Sequence, residues 1–133
     1  MYYDAVDANL LHSTIWNYTA DNTNKSGDGW NDEDLSIFSE GKERAVAGWK
    51  RPYPMATAGI PVSFRWDRKK GSFNYLFKAD SAITAPTVIY IPPEFGPNAA
   101  ITTILRHEYK PDEQRLLVYN DGKEGEIQIA MSK

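Results

Sequence analysis

Val62-Ser63-Phe64-Arg65-Trp66, Asp67-Arg68-Lys69-Lys70-Gly71 and Ser72-Phe73-Asn74-Tyr75-Leu76-Phe77-Lys78 form the continuous stretch that decides the fold. Val62, Phe64 and Trp66 alternate with Ser63 and Arg65; Phe73, Tyr75 and Phe77 alternate with Asn74, Leu76 and Lys78. Successive side chains of a strand point to opposite faces, so each run offers one apolar face. A charged turn ending in glycine joins the two, which is the pattern of a β-hairpin. Phe64, Trp66, Phe73, Tyr75 and Phe77 are expected on inward faces.

Further along, Thr87 to Ile91 is a strand fenced by Pro86 and Pro92-Pro93. Ile101 to Leu105, Arg115 to Tyr119 and Gly125 to Met131 read as three more, with Asn120-Asp121-Gly122 as a turn between the last two. Six short strands with turns between them predict a mainly β chain folded as an antiparallel sandwich.

Before the hairpin the pattern changes. Arg51-Pro52-Tyr53-Pro54 and Ala58-Gly59-Ile60-Pro61 punctuate the chain, placing a domain boundary within residues 51–60. Residues 1–50 and 51–133 are therefore read as two domains. Tyr3, Val6 and Leu10 share one face of an amphipathic helix of about three turns, with Asp4, Asp7 and Asn9 on its polar side. Thr14-Ile15-Trp16-Asn17-Tyr18 is β-branched and aromatic, and breaks at Asp21 into a polar segment reaching Gly29. It reads as a buried strand that delivers Trp16 to the edge of a long loop. Asn31 or Asp32 would cap a short helix through Leu35, Ile37 and Phe38, with Glu33 to Glu40 partly helical; residues 42–50 add a further helical stretch. A helix, then a strand with an aromatic at its carboxyl end, is one unit of a (β/α) barrel, where catalytic groups gather at strand C-termini.

Composition narrows the chemistry. The chain has 133 residues, far fewer than the roughly 250 of a whole barrel. Its net charge of −3, with no basic stripe, argues against nucleic acid as a partner. Cysteine is absent, which excludes disulfides and thiolate chemistry. His12 and His107 are isolated, there is no Gly-x-Ser-x-Gly elbow, and there is no glycine-rich phosphate loop. Asp28, Asp32, Glu33 and Asp34 lack the spacing of a calcium loop. No catalytic residue, metal ligand or cofactor is therefore expected. Met1 runs directly into Tyr2-Tyr3-Asp4 without a basic region or an apolar core, so no leader is read there. The compartment stays open; a parent that is secreted or membrane-peripheral is compatible with the sequence.

Three motifs carry a family likeness. Trp16-Asn17-Tyr18-Thr19-Ala20-Asp21-Asn22, Gly27-Asp28-Gly29-Trp30-Asn31-Asp32-Glu33-Asp34-Leu35-Ser36, and Arg51-Pro52-Tyr53-Pro54 with Ala58-Gly59 resemble the C-terminal part of the endoglycoceramidase-like branch of glycoside hydrolase family 5. Ile83-Thr84-Ala85-Pro86-Thr87 and Ile89-Tyr90-Ile91-Pro92 are similar to that family's C-terminal sandwich. The resemblance implies that residues 2–11 are the seventh barrel helix, 13–18 the eighth barrel strand, 33–50 the closing helical segment, and about 55–133 the sandwich. The family takes its acid/base Glu from an Asn-Glu pair after strand four and its nucleophile from strand seven. This sequence has no Asn-Glu dipeptide and, by the same resemblance, begins after strand seven. Trp16 would be the aromatic that packs against the sugar, with Asn17, Tyr18 and Trp30 beside it as substrate-binding residues.

The resulting expectation is a C-terminal portion of a retaining glycoside hydrolase acting on β-linked glycolipids of the glycosylceramide type, inactive alone. Its partners would be a glycolipid or oligosaccharide substrate and the remainder of the barrel, in the same chain or another, with a peripheral membrane contact allowed. The alternative is a stand-alone sandwich that binds carbohydrate or a lipid surface, and a purely buttressing domain is a third reading. Outside its barrel, strand 13–18 would expose large side chains.

Overall fold

The computed structural model describes residues 2–29, 32–95 and 100–132. The chain divides into two compact units, one of residues 1–11 with 51–133 and one of residues 12–50.

The larger unit is a sandwich of two four-stranded antiparallel sheets preceded by helix α1 (Tyr2–Ala8). The other unit supplies β1 (Phe38–Ser39), β2 (Lys42–Glu43) and α2 (Val46–Trp49), so the sandwich strands are β3 (Tyr53–Ala56), β4 (Gly59–Asp67), β5 (Ser72–Ala79), β6 (Thr87–Tyr90), β7 (Ala100–Thr102), β8 (Arg106–Lys110), β9 (Arg115–Tyr119) and β10 (Gly125–Ser132). One sheet runs β4-β5-β10-β7 and the other β3-β6-β9-β8.

The hairpin forms as its alternation requires. Phe64 lies opposite Tyr75 and Trp66 opposite Phe73. Phe73, Tyr75 and Phe77 are fully buried, Phe64 is buried, and Trp66 packs against the core with its ring on Phe95. A register shift between Pro61 and Ser63 interrupts the β4–β5 pairing, and Val62 is exposed. A bulge offsets the two-residue period, so the inward face begins at Phe64. From the second sheet, Ile89, Leu116 and Val118 meet Ile127, Ile129 and Met131 of the first, closing one continuous core.

Two sandwich strands were not legible as strands. β3 contains Pro54, in a segment read as a boundary; it sits at a sheet edge, where a missing N–H is tolerated. β8 reads Arg-His-Glu-Tyr-Lys and is also an edge strand, so it has little apolar alternation to detect. The strand expected over 101–105 ends at Thr102.

Helix α1 is shorter than its apolar spacing suggests. It stops at Ala8, and Leu10 has φ 54°, outside helical space. Asp7, assigned to the polar side, is buried. The reason is a partner 44 positions away: Arg51 Nη2 donates to Asp7 Oδ1 at 2.6 Å. The Arg51 guanidinium also lies 5.0 Å from the centre of the Tyr3 ring, 5.4 Å from Phe64 and 5.9 Å from Tyr53. A caged cation thus fastens α1 to the start of the sandwich.

Candidate functional site

Trp16, Asn17 and Tyr18 lie in the unit of residues 12–50. Residues 13–18 are not a strand here. A barrel strand is held by neighbours on both edges, and among the described residues no strand of this unit pairs with it. The helix expected through Leu35, Ile37 and Phe38 is likewise absent. Glu40 and Gly41, with φ 50° and 75°, make a two-residue turn between β1 and β2 instead. Positive φ at both central residues is the requirement of a type I′ hairpin, which glycine meets without strain. The helical stretch expected over 42–50 contracts to α2, because Lys42–Glu43 are taken by β2.

Side chains hold this loop-rich unit in place of regular ladders. Ser36 Oγ accepts from the Thr19 N–H at 2.9 Å and the Phe38 N–H at 3.2 Å. Asn22, itself 2% exposed, donates to Asp34 Oδ1 at 2.9 Å, and Arg44 Nη1 donates to the same oxygen. The hydrogen bond from Asn22, then that from Arg44, holds the Asp34 carboxyl below its ordinary range. The Trp49 indole N–H donates to Arg44 O at 2.9 Å, tying α2 to the same network. Short polar side chains bonding to nearby backbone compete with helix formation, which accounts for the missing helix over 33–40.

On this frame the three described candidates sit in sequence. The Ile37 N–H donates to Asn17 O at 2.9 Å, and Asn17 Nδ2 donates to Asp28 Oδ2 at 3.2 Å. Asn17 is thereby pinned, while Trp16 and Tyr18 are each 65% exposed. The Trp16–Asn17 peptide bond is cis. Tyr18 rests its ring on Phe38, with centroids 5.8 Å apart. Trp16 is therefore not a core residue. An exposed indole face suits the C–H face of a pyranose, which it can orient without charge. Trp30, the fourth candidate, lies outside the described residues.

Asp28 and Asp34 are engaged with amides and Arg44, which gives them a scaffold role. The sandwich unit has a cleft of about 530 Å³ lined by Asp4, Asp7, Phe64, Trp66 and Arg68 among others. Its two helix acids are committed, Asp7 to Arg51 and Asp4 to Arg68 at 3.8 Å. Neither is a free acid/base group.

Residues 51–131 match the glycoside hydrolase family 5 C-terminal domain. The chain belongs to that family. A glucosylceramidase of Cryptococcus neoformans is 30% identical over 99 residues, covering 61% of this chain and 13% of the relative. A glucosylceramidase of Rhizopus delemar is 28% identical over 111 residues, 66% of this chain and 16% of the relative. The crystal structure of Cryptococcus neoformans sterylglucosidase 1 superposes with a TM-score of 0.83 at 27% identity, covering 98% of this chain and 24% of that one. Endo-glycoceramidase II from Rhodococcus sp. shares the fold, with a TM-score of 0.62 at 22% identity over 74% of this chain. The chain thus spans less than a quarter of each of these proteins whose share is given above.

Proposed function

We propose that this chain is the C-terminal portion of a retaining glycoside hydrolase acting on β-linked glycolipids, in which residues 1–50 complete a (β/α)8 barrel and residues 51–133 form the appended sandwich. Trp16 stacks on the sugar beside the scissile bond, with Asn17, Tyr18 and Trp30 completing that wall of the site. The observation that carries the reading is Trp16 itself. A tryptophan 65% exposed costs a monomer apolar burial, yet its neighbour Asn17 is fixed by Ile37 and Asp28. Exposure on a pinned backbone is the arrangement of a side chain held ready for a ligand. Relatives named glucosylceramidase and sterylglucosidase supply the substrate class.

In this reading the chain orients sugar and supplies neither carboxylate of a double displacement, which needs two about 5 Å apart. The purified 133-residue chain is expected to release no measurable product from a fluorogenic β-glucoside or a fluorescent glucosylceramide. Joined to a family 5 barrel that carries both Glu residues, the same chain is expected to support turnover. Turnover by the isolated chain, surviving repurification, would show that the catalytic pair lies within these residues and would end the proposal.

A further inference from the structure

Four of the chain's 15 basic residues fall within the six positions 65–70, against one of its 18 acids. They crown the β4–β5 hairpin: Arg65 near the end of β4, then Arg68, Lys69 and Lys70 in the turn, all exposed. A basic run on a chain of net charge −3 is set against the overall charge. The acids nearby offset it only in part. Asp67 Oδ1 accepts from the N–H groups of Lys69 at 3.0 Å and Lys70 at 3.1 Å, so its carboxylate builds the turn. Asp4 is opposite Arg68 at 3.8 Å and Asp7 is bound by Arg51. The Lys70 N–H, then the Lys69 N–H, holds the Asp67 carboxyl below its ordinary range, and the charges of Lys70 and Arg65 add to this, so one carboxylate faces these three cations.

From this juxtaposition we infer that the β4–β5 tip is a docking point for an anionic lipid surface. The inference rests on the glycolipid reading above, because an enzyme whose substrate is anchored in a bilayer must meet that bilayer. The turn is fixed by Asp67 and by the register of two long paired strands, so little backbone order is lost on contact. Three exposed cations, Arg65 near the end of β4 and Lys69 and Lys70 in the turn after it, match a plane of phosphate and carboxylate headgroups. A long nucleic-acid backbone would instead call for a stripe of contacts. The attraction is electrostatic and reversible, with no helix among the described residues long and apolar enough to cross a membrane.

The test is co-sedimentation of the 133-residue chain with phosphatidylcholine vesicles, with and without phosphatidylserine, at low and high salt. Binding is expected to the serine-containing vesicles alone and to be lost at high salt. Each cation removed is expected to weaken it roughly fivefold, so Arg65→Glu, Lys69→Glu and Lys70→Glu together should abolish it. The control is Lys78→Glu with Lys123→Glu, two exposed cations at the other end of the same sheet, which should bind as the wild type does. Equal sedimentation with both vesicle types, an undiminished triple variant, or equal loss in the control would overturn the inference. So would tighter capture by RNA than by vesicles, which would mark a general polyanion patch. Because no turnover is read, failure here leaves the glycolipid reading standing. Vesicle binding by a chain that supports no glycolipid turnover in an assembled enzyme would sink that reading alone.

Discussion

Arg51→Ala is expected to cost about 3–5 kcal/mol of folding stability at neutral pH, the range for breaking a buried ion pair on one side. Arg51 and Asp7 have side chains 8% and 7% exposed. Removing the guanidinium leaves a buried carboxylate unpaired and empties the space between Tyr3, Tyr53 and Phe64. Burial pushes the Asp7 carboxyl up to about 6, against the opposing pull of Arg51. The sign follows from linkage. A carboxyl whose folded pKa lies above its ordinary value of 3.8 favours folding most when protonated. That contribution is fully present below about 3.8 and is lost as the pH rises through about 6. Two outcomes are expected in urea titrations followed by far-UV circular dichroism. The Arg51→Ala deficit should be smaller at pH 5 than at pH 8, because the orphaned Asp7 takes up a proton. Asp7→Asn should flatten the stability profile between those values by on the order of 1–3 kcal/mol. A deficit for Arg51→Ala that is the same at both pH values would show that Asp7 is not the group it neutralises.

Gly59→Ala is expected to destabilise the sandwich by about 2–4 kcal/mol, lowering Tm by roughly 10–25 °C. Gly59 has φ 148°, and a Cβ built there would lie 2.1 Å from Lys78 O and 2.9 Å from its carbonyl carbon. Both obstacles are backbone in the neighbouring strand, so no rotamer change relieves them. The chain passes from one sheet to the other at this point. The Ala58 N–H donates to Thr87 Oγ1, and Ala58 O accepts from the Asp80 N–H and from Asn120 Nδ2. Shifting Gly59 therefore strains both sheets. Gly41→Ala is the comparison: its φ is 75°, but nothing lies within 4 Å of the added carbon. It should cost about 1 kcal/mol, the conformational term alone. Equal losses at the two positions, measured by thermal melting, would show that close approach is not what Gly59 serves.

The β-sandwich was legible because its information is local. Phe64 to Phe77 alternates strictly and one short turn closes it, so neighbouring residues specify the pairing. Edge strands β3 and β8 carry less of that signal: one holds a proline and the other is almost wholly polar. The buried state of Asp7 was not legible, since its partner lies 44 positions on within a segment that reads as punctuation. The exposed state of Trp16 depends on what surrounds residues 13–18, and apolar content alone reads there as a buried strand. Ser36, Asn22 and Asp34 were missed as scaffold residues for a similar reason. Polar side chains in a polar loop announce no particular partner, and only the fold shows Ser36 reaching Thr19 and Asn22 reaching Asp34. The motif around Trp16, unlike periodicity, led to the expectation of an aromatic that faces a ligand, which remains a proposal for the measurement below to test.

The most direct measurement is kcat/KM for a β-glucosyl lipid by the assembled enzyme, a family 5 barrel completed by this chain, with Trp16 and with Trp16→Ala. A stacking tryptophan lost from the sugar wall should lower kcat/KM by roughly tenfold to a hundredfold, about 1.4–2.8 kcal/mol of transition-state stabilisation. The variant should unfold with the wild type, because Trp16 is 65% exposed and adds little to any core. Loss of turnover with stability unchanged is the result the account predicts. An unchanged kcat/KM in a folded Trp16→Ala enzyme would contradict it.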